Sequence, residues 1–373
     1  MTTVVFVSIP EDVTIGLDHY SFQVKKDQPF HGFLNIPDNT VHCIHFQHEG
    51  EKSQRYGYWI QKGNYYIKFD DESESFKLYI ENDSIKFEKI VMEFNRQQTI
   101  VPYPKIDEND TWYTLTKHIK WKQVCSILNS QACGDAYVSS SMTSQEEANL
   151  LEKTLASHDS LGAVPYHSSS SDGNSNEEKN QERTLNFTMI KFKSKEAIRI
   201  GHEMNDFQDK SFYLNEIILK KYYDSSIDNL FGELQFAFLN TILFCNYASS
   251  LQWHNILELI CFSKQVEQEK IDELDHILQV QIKLMLETYF DVLINVEVWK
   301  RCLYDSFHGD SLKLTEEALK KNYPEMYLSA DSDDNASIEF YNNERESNQE
   351  SEDEEDEYKP TIVSGVYYVS RSN

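Results

Sequence analysis

Gly232-Glu-Leu-Gln-Phe-Ala-Phe-Leu-Asn-Thr-Ile-Leu-Phe-Cys-Asn-Tyr-Ala-Ser-Ser-Leu-Gln-Trp-His-Asn-Ile-Leu-Glu-Leu-Ile260 carries no charge between Glu233 and Glu258. An uncharged run of that length belongs inside protein or inside lipid. Its polar residues decide between them, because Asn240, Asn246, Gln252, His254 and Asn255 would each need a partner that hydrocarbon does not offer. The interruption Asn246-Tyr-Ala-Ser-Ser250 divides the run, and Ser249 or Ser250 suits the N-cap of a second helix. The stretch therefore predicts a buried helical hairpin at the centre of an all-α half.

Working outward, Ile271, Leu274, Leu278, Ile282 and Met285 recur at spacings of three and four, which predicts an amphipathic helix. Helical segments are also expected at Phe212–Tyr223, Thr288–Val296, Val298–Phe307 and Leu312–Asn322, the last stopped by Pro324. With a possible strand at Asn186–Phe192, six or seven helices should pack on the hairpin.

The other half has a different grammar. Val4–Ile9, Val13–Val24, Val41–Phe46, Tyr56–Ile60, Tyr65–Phe69 and Phe76–Ile80 are short β-branched and aromatic runs separated by Gly, Pro, Asn and Asp. They predict a small β-sandwich or barrel, with Lys62-Gly-Asn64 as its clearest hairpin. Helices are expected at Asp83–Arg96 and Trp112–Leu128, the second capped by Asp110. Ser144-Gln-Glu-Glu147 has the form of a capping box before a closing helix.

Composition sets the boundaries. The expected organisation is α+β in two domains: a β-sandwich-like domain over 1–157, a Ser/Asn/Glu-rich flexible linker over 158–185 and a helical domain over 186–328. An acidic leash follows over 329–357, and a tail strand over 358–373. Asp331–Glu357 holds 13 acidic residues against Arg345 alone, so it supplies −12 of a formal net charge of −27. Phosphate backbones favour Lys and Arg surfaces, so no direct nucleic-acid binding is expected, and a basic partner is more plausible. The six scattered cysteines form no CxxC and read as reduced thiols. Met1–Pro10 reads as a first strand and not a signal peptide, which leads to an intracellular expectation.

Catalytic patterns are scarce. GxGxxG, the P-loop, GxSxG and HExxH are absent, and His202-Glu203 begins the last of these only to meet Asp206 at its second position. His42, His45 and His48 beside Cys43 are the best metal candidates, but on a strand His42 and His45 point to opposite faces. Asp107-Glu-Asn-Asp110 and Asp70-Asp-Glu72 read as turn and cap residues, and Trp253-His254 as a core pair. No catalytic residue, metal, cofactor, small-molecule substrate or membrane association is expected. Ser351 lies in an acidic-kinase context. Ser263, in the Cys261-Phe-Ser-Lys264 junction, is a second phosphorylation candidate, since phosphate there would meet the carbonyl end of a helix. Beyond the leash, Pro360-Thr-Ile-Val-Ser-Gly-Val-Tyr-Tyr-Val369 is apolar and β-prone, suited to joining the sheet edge of a partner.

Several strings together resemble the A1-cistron splicing factors, assembly factors of the U5 small nuclear ribonucleoprotein (snRNP), and most of all their budding-yeast branch. They are Thr14-Ile-Gly-Leu-Asp-His-Tyr-Ser-Phe22, Pro29-Phe-His-Gly32, Arg55-Tyr-Gly-Tyr-Trp59, Tyr103-Pro-Lys-Ile-Asp-Glu-Asn-Asp-Thr-Trp-Tyr113, Phe231-Gly-Glu-Leu-Gln-Phe-Ala-Phe-Leu239, Ser249-Ser-Leu-Gln-Trp-His254 and Pro360-Thr-Ile-Val363. The resemblance implies a β-sandwich-like first domain, a VHS-like helical second domain and no catalysis. It implies binding to the large spliceosomal scaffold protein Prp-eight through its RNase-H-like and Jab/MPN-like domains. The tail bridges the two as an added strand and the bound factor blocks premature docking of helicase and RNA. By that analogy Thr361, Ile362, Val363, Tyr367 and Tyr368 carry the bridge, and the protein is both cytoplasmic and nuclear. The linker and the residues after Tyr368 depart from the family pattern. The competing reading is a cytosolic adaptor whose helical domain binds sorting peptides or cargo.

Overall fold

In a computed structural model of the chain, residues 1–10, 12–26, 28–48, 54–104, 110–130, 136–159, 184–324 and 326 are described. Met1–Pro324 forms one compact unit, and of the residues after it only Met326 is described. The acidic leash, the tail strand and residues 160–183 of the expected linker therefore lie outside the described residues.

Among the described residues, ten strands make two five-stranded sheets. The first has the order β8-β7-β1-β4-β9 and the second β10-β6-β5-β2-β3. The strands are β1 (Thr2–Phe6), β2 (Val13–Leu17), β3 (Tyr20–Val24), β4 (Gly32–Ile36), β5 (His42–His48), β6 (Arg55–Ile60), β7 (Asn64–Asp70), β8 (Ser75–Ile80), β9 (Val101–Pro102) and β10 (Tyr137–Ser139). The aromatic alternation that marked these strands fills the space between the sheets. Phe6 meets Phe46 at 6.1 Å and Phe76 at 6.2 Å between ring centroids, and Ile15, Ile44 and Ile67 close around them.

Two expectations change here. Val13–Val24 is not one strand but a hairpin, turning at Asp18 in the left-handed region (φ 59°). The Lys62-Gly-Asn64 turn is not a hairpin either, because β6 belongs to the second sheet and β7 to the first. The turn instead grips β1, with Thr3 N donating to the Gly63 carbonyl and Gly63 N to Thr2 Oγ1. Gly32–Ile36 is a strand the pattern did not announce.

Helix α1 (Ser84–Arg96), capped by Asp83, covers the outer face of the first sheet, where Phe87 packs with Val5 and Ile100. The expected Trp112–Leu128 helix is two, α2 (Thr111–Thr116) and α3 (Trp121–Ile127). Asp110 does cap α2, accepting from Tyr113 N. The break between them comes from tertiary contact: His118 N donates to Gln235 Oε1 at 3.1 Å, pinning the chain against the opening hairpin. The Ser144 capping box before α4 (Gln145–Asp159) forms as predicted, with Ser144 N donating to Glu147 Oε2 and Glu147 N to Ser144 Oγ.

In the helical half, α5 (Glu203–Gln208) precedes a π-helical turn at Tyr213–Leu219 that runs into α6 (Lys220–Tyr222). The hairpin itself is α7 (Ile227–Phe244) and α8 (Tyr247–Cys261), followed by α9 (Gln268–Leu284), α10 (Phe290–Leu293), α11 (Val296–Tyr304) and α12 (Lys313–Asn322). Every residue from Leu230 to Phe244 is buried. A helix apolar on all sides needs cover on all sides. α8 supplies one flank, and the second sheet with α2 and α3 supplies the other, so Trp59 of β6 lies 5.0 Å from Phe236. Asn186–Phe192 makes no ladder among the described residues; its amides go instead to Ile127 O, Glu233 Oε1 and Tyr213 Oη. No described helix is long and apolar enough to cross a membrane.

Candidate functional site

Asn240, Asn246, Gln252 and His254 of the opening stretch turn inward to particular partners. Asn240 Oδ1 accepts from Trp59 Nε1 at 2.9 Å, across the seam between the sheet and the helices. Asn246, and not Ser249 or Ser250, caps α8 by accepting from Ser249 N, while its amide nitrogen donates to the Ser139 and Met142 carbonyls. Asn246 wins the cap because it precedes the turn in extended geometry and can serve both sides at once. Gln252 donates to Glu233 Oε1 and to the Thr188 carbonyl.

Glu233 was legible only as the edge of an uncharged run. It is the hub that ties three elements: its carboxylate accepts from Thr188 N, Thr188 Oγ1, Tyr223 Oη and Gln252 Nε2. Burial pushes its pKa up against those four donors.

The Trp253-His254 pair is core, as its sequence suggested. His254 Nδ1 bonds the Ser250 carbonyl and Nε2 accepts from Asn295 N at 3.0 Å and Trp299 Nε1 at 3.1 Å. Nε2 accepts twice, so the ring is the neutral Nδ1–H tautomer, and burial holds its pKa down at about 4. With both nitrogens used, it has no capacity left for general-base work.

The histidines of β5 do not converge. His42 bonds Asp18 Oδ2 at 2.7 Å, His45 bonds the Asp18 carbonyl at 3.0 Å and His48 bonds the Tyr56 hydroxyl at 2.6 Å. Asp18 is the organising residue that pattern reading missed. Fully buried, it also accepts from Tyr103 Oη and Cys43 N. Burial and this carboxylate push the Tyr103 hydroxyl pKa up. A Gly-Leu-Asp-His-Tyr turn between two apolar strands was the available signal, because a short acid in a two-residue turn is placed to receive backbone donors. His42 is only 2 % exposed, so this Asp–His pair faces no substrate.

His118, Asp228 and Glu273 bring three potential metal ligands within 4.8 Å of one another. Two ammonium groups already occupy the carboxylates: Lys117 Nζ lies 2.6 Å from Glu273, and Lys270 Nζ lies 2.6 Å from Asp228 and 3.1 Å from Glu273. Burial raises the Glu273 pKa, but the two lysines outweigh it and hold the group at about 2. A divalent cation would have to displace them.

Among the flagged modification sites, Ser263 is fully buried. Its hydroxyl donates to the Leu259 carbonyl at 2.6 Å, and its own carbonyl bonds His308 Nε2. Modification would require the junction to open, which the sequence could not reveal. Ser351, and the tail residues Thr361, Ile362, Val363, Tyr367 and Tyr368, lie outside the described residues. On the described surface, Leu150, Met189 and Leu251 border a groove of about 270 Å³ between α4 and α8.

Comparison with known proteins gives two family matches in chain order. Residues 1–129 match the model described as the AAR2 N-terminal domain, and residues 187–345 the AAR2 C-terminal repeat region. The chain is also similar to the A1 cistron-splicing factor AAR2 of Saccharomyces cerevisiae, at 47% identity over 373 residues, covering 99% of both chains.

Proposed function

The chain belongs to the AAR2 family of A1 cistron-splicing factors, and from that membership we propose that it serves pre-mRNA splicing as a non-enzymatic assembly factor of the U5 snRNP. Its partner in this reading is the scaffold protein Prp-eight. The tail after the acidic leash adds a strand between the RNase-H-like and Jab/MPN-like domains of that scaffold. Occupying these surfaces keeps helicase and RNA from docking early, and the factor moves between cytoplasm and nucleus.

The observation that carries the reading is identity of 47% sustained over 99% of both chains, which spans the tail as well as the two folded halves. The chemistry of the chain supports it. His254 and Glu233, the buried histidine and carboxylate of the hairpin, spend their polar atoms on internal hydrogen bonds. The tail couples β-prone side chains to a −12 leash, which suits a strand that finds its sheet on a partner.

The test is a binding titration of purified full chain and of a form lacking Tyr358–Asn373 against the two scaffold domains. Deletion should weaken binding by two orders of magnitude or more, roughly 3 kcal/mol, while the melting temperature of the folded unit stays constant. Equal affinity of the two forms refutes the added strand.

A further inference from the structure

Arg55 opens β6 at the seam between the second sheet and the helical half. Its Nε donates to Gln47 Oε1 at 3.0 Å, and its Nη1 donates to Cys245 Sγ at 3.2 Å and to the Tyr289 hydroxyl. None of the three acceptors is a carboxylate. The other described arginines, Arg96, Arg199 and Arg301, each pair with a carboxylate, as a chain with 62 acidic residues makes easy. Arg55 has no carboxylate and its Nη2 no partner among the described residues.

The guanidinium borders a cavity of about 310 Å³ whose lining contains no Asp, Glu or Lys. Thr14, Ser21 and Tyr289 are among its lining residues, and so are Ile242, Leu284 and Leu286. Nε and Nη1 already donate within the chain, so Nη2 is the nitrogen left to donate to an incoming carboxylate, and a guanidinium without an anionic partner among the described residues retains most of its affinity for one. Asp18, which reaches this region only through the backbone oxygen bonded to His45, spends its carboxylate on His42, Tyr103 and Cys43.

We propose that this seam is a receptor site for the carboxylate of an acidic side chain of a protein partner, with Arg55 as the anion-binding group and the leucine and isoleucine wall receiving the apolar flank of that side chain. A carboxylate fits better than a phosphoryl group because Arg55 is the one permanently charged side chain of the lining, beside the two histidines His19 and His45. His45, held down at about 4 by burial, adds none near neutral pH. A dianion would remain half-compensated within a strongly acidic chain. The site is independent of the tail strand and of the family assignment.

The test uses the full chain labelled with ¹⁵N-arginine. 4-Phenylbutyrate is the probe, with the neutral 4-phenylbutyramide and phenyl phosphate as comparisons. 4-Phenylbutyrate should shift the Arg55 Nε–Hε resonance saturably, and the amide should bind at least about tenfold more weakly. Ligand-observed saturation transfer should lose the signal in Arg55→Gln. Leu286 is 58% exposed, so Leu286→Glu leaves the core intact and places a competing carboxylate at the rim. That variant should weaken the probe by a similar factor, and it carries the test if Arg55→Gln does not fold. Equal binding of the amide, tighter binding of phenyl phosphate, or binding retained in both variants overturns the proposal. So does binding that appears only after Glu49→Gln and Glu51→Gln, since the chain would then fill the site itself.

Discussion

His254 is neutral in the folded chain because two donors point at its Nε2 while its Nδ1–H bonds the Ser250 carbonyl. Its pKa of about 4 lies below the ordinary value of 6.5. The stability this contributes is complete above the unfolded value and is lost as pH falls from about 6.5 toward 4, with an upper bound on the order of 3 kcal/mol. Urea midpoints measured between pH 7.5 and 4.5 should fall more steeply for the wild type than for His254→Gln, which starts less stable. Parallel curves would contradict this. Trp59 and Asn240 allow a sharper dissection, since each is buried and each is the partner of the other. Trp59→Phe and Asn240→Leu should cost about 1–3 kcal/mol apiece by stranding a polar atom, and together less than their sum by about 1 kcal/mol. A double-mutant cycle in urea measures that coupling.

At the scale of elements, α7 shows how packing overrides local preference. Gly232 is a poor helix former, worth about 1 kcal/mol less than alanine. A β-carbon there, however, would lie 2.4 Å from the His118 carbonyl oxygen and 2.6 Å from Gln123 Oε1. The glycine lets the α2–α3 junction sit directly on the helix. Gly232→Ala should therefore destabilise by about 1–3 kcal/mol despite its better propensity, because the nearer obstacle is backbone. A higher urea midpoint for the variant would show that the junction yields. The same contact accounts for the divided helix between Thr111 and Ile127: periodicity registers the apolar spacing of Trp112, Leu115 and Val124, but not the Gln235 side chain that captures His118 N.

Across the whole molecule, the sheet and the helices share one seam. The second sheet buries one face against the first and presents Trp59 on the other to Phe236. Since Met1–Pro324 is one compact unit, urea unfolding followed by tryptophan fluorescence and by far-ultraviolet circular dichroism should give coincident transitions. An early transition confined to the fluorescence of Trp59 and Trp112 would show that the β half melts alone. The same seam contains Arg55, which donates to Gln47 in the sheet and to Cys245 and Tyr289 in the helical half.

The sequence by itself determined the classes of the two halves, the buried hairpin, the helix caps at Ser144 and Asp110, and the family, because these depend on side-chain period and on residues a few positions apart. Tertiary structure alone decided which strands share a sheet, where the Trp112 helix breaks, and that Asn246 caps α8. It also decided that Ser263 is sealed and that Asp18 and Glu233 are hubs. Those facts rest on partners such as Trp59 and Asn240, separated by 181 positions. No local period encodes a contact of that separation. A polar residue in an uncharged run announces that it needs a partner, and only the folded chain says which one it finds.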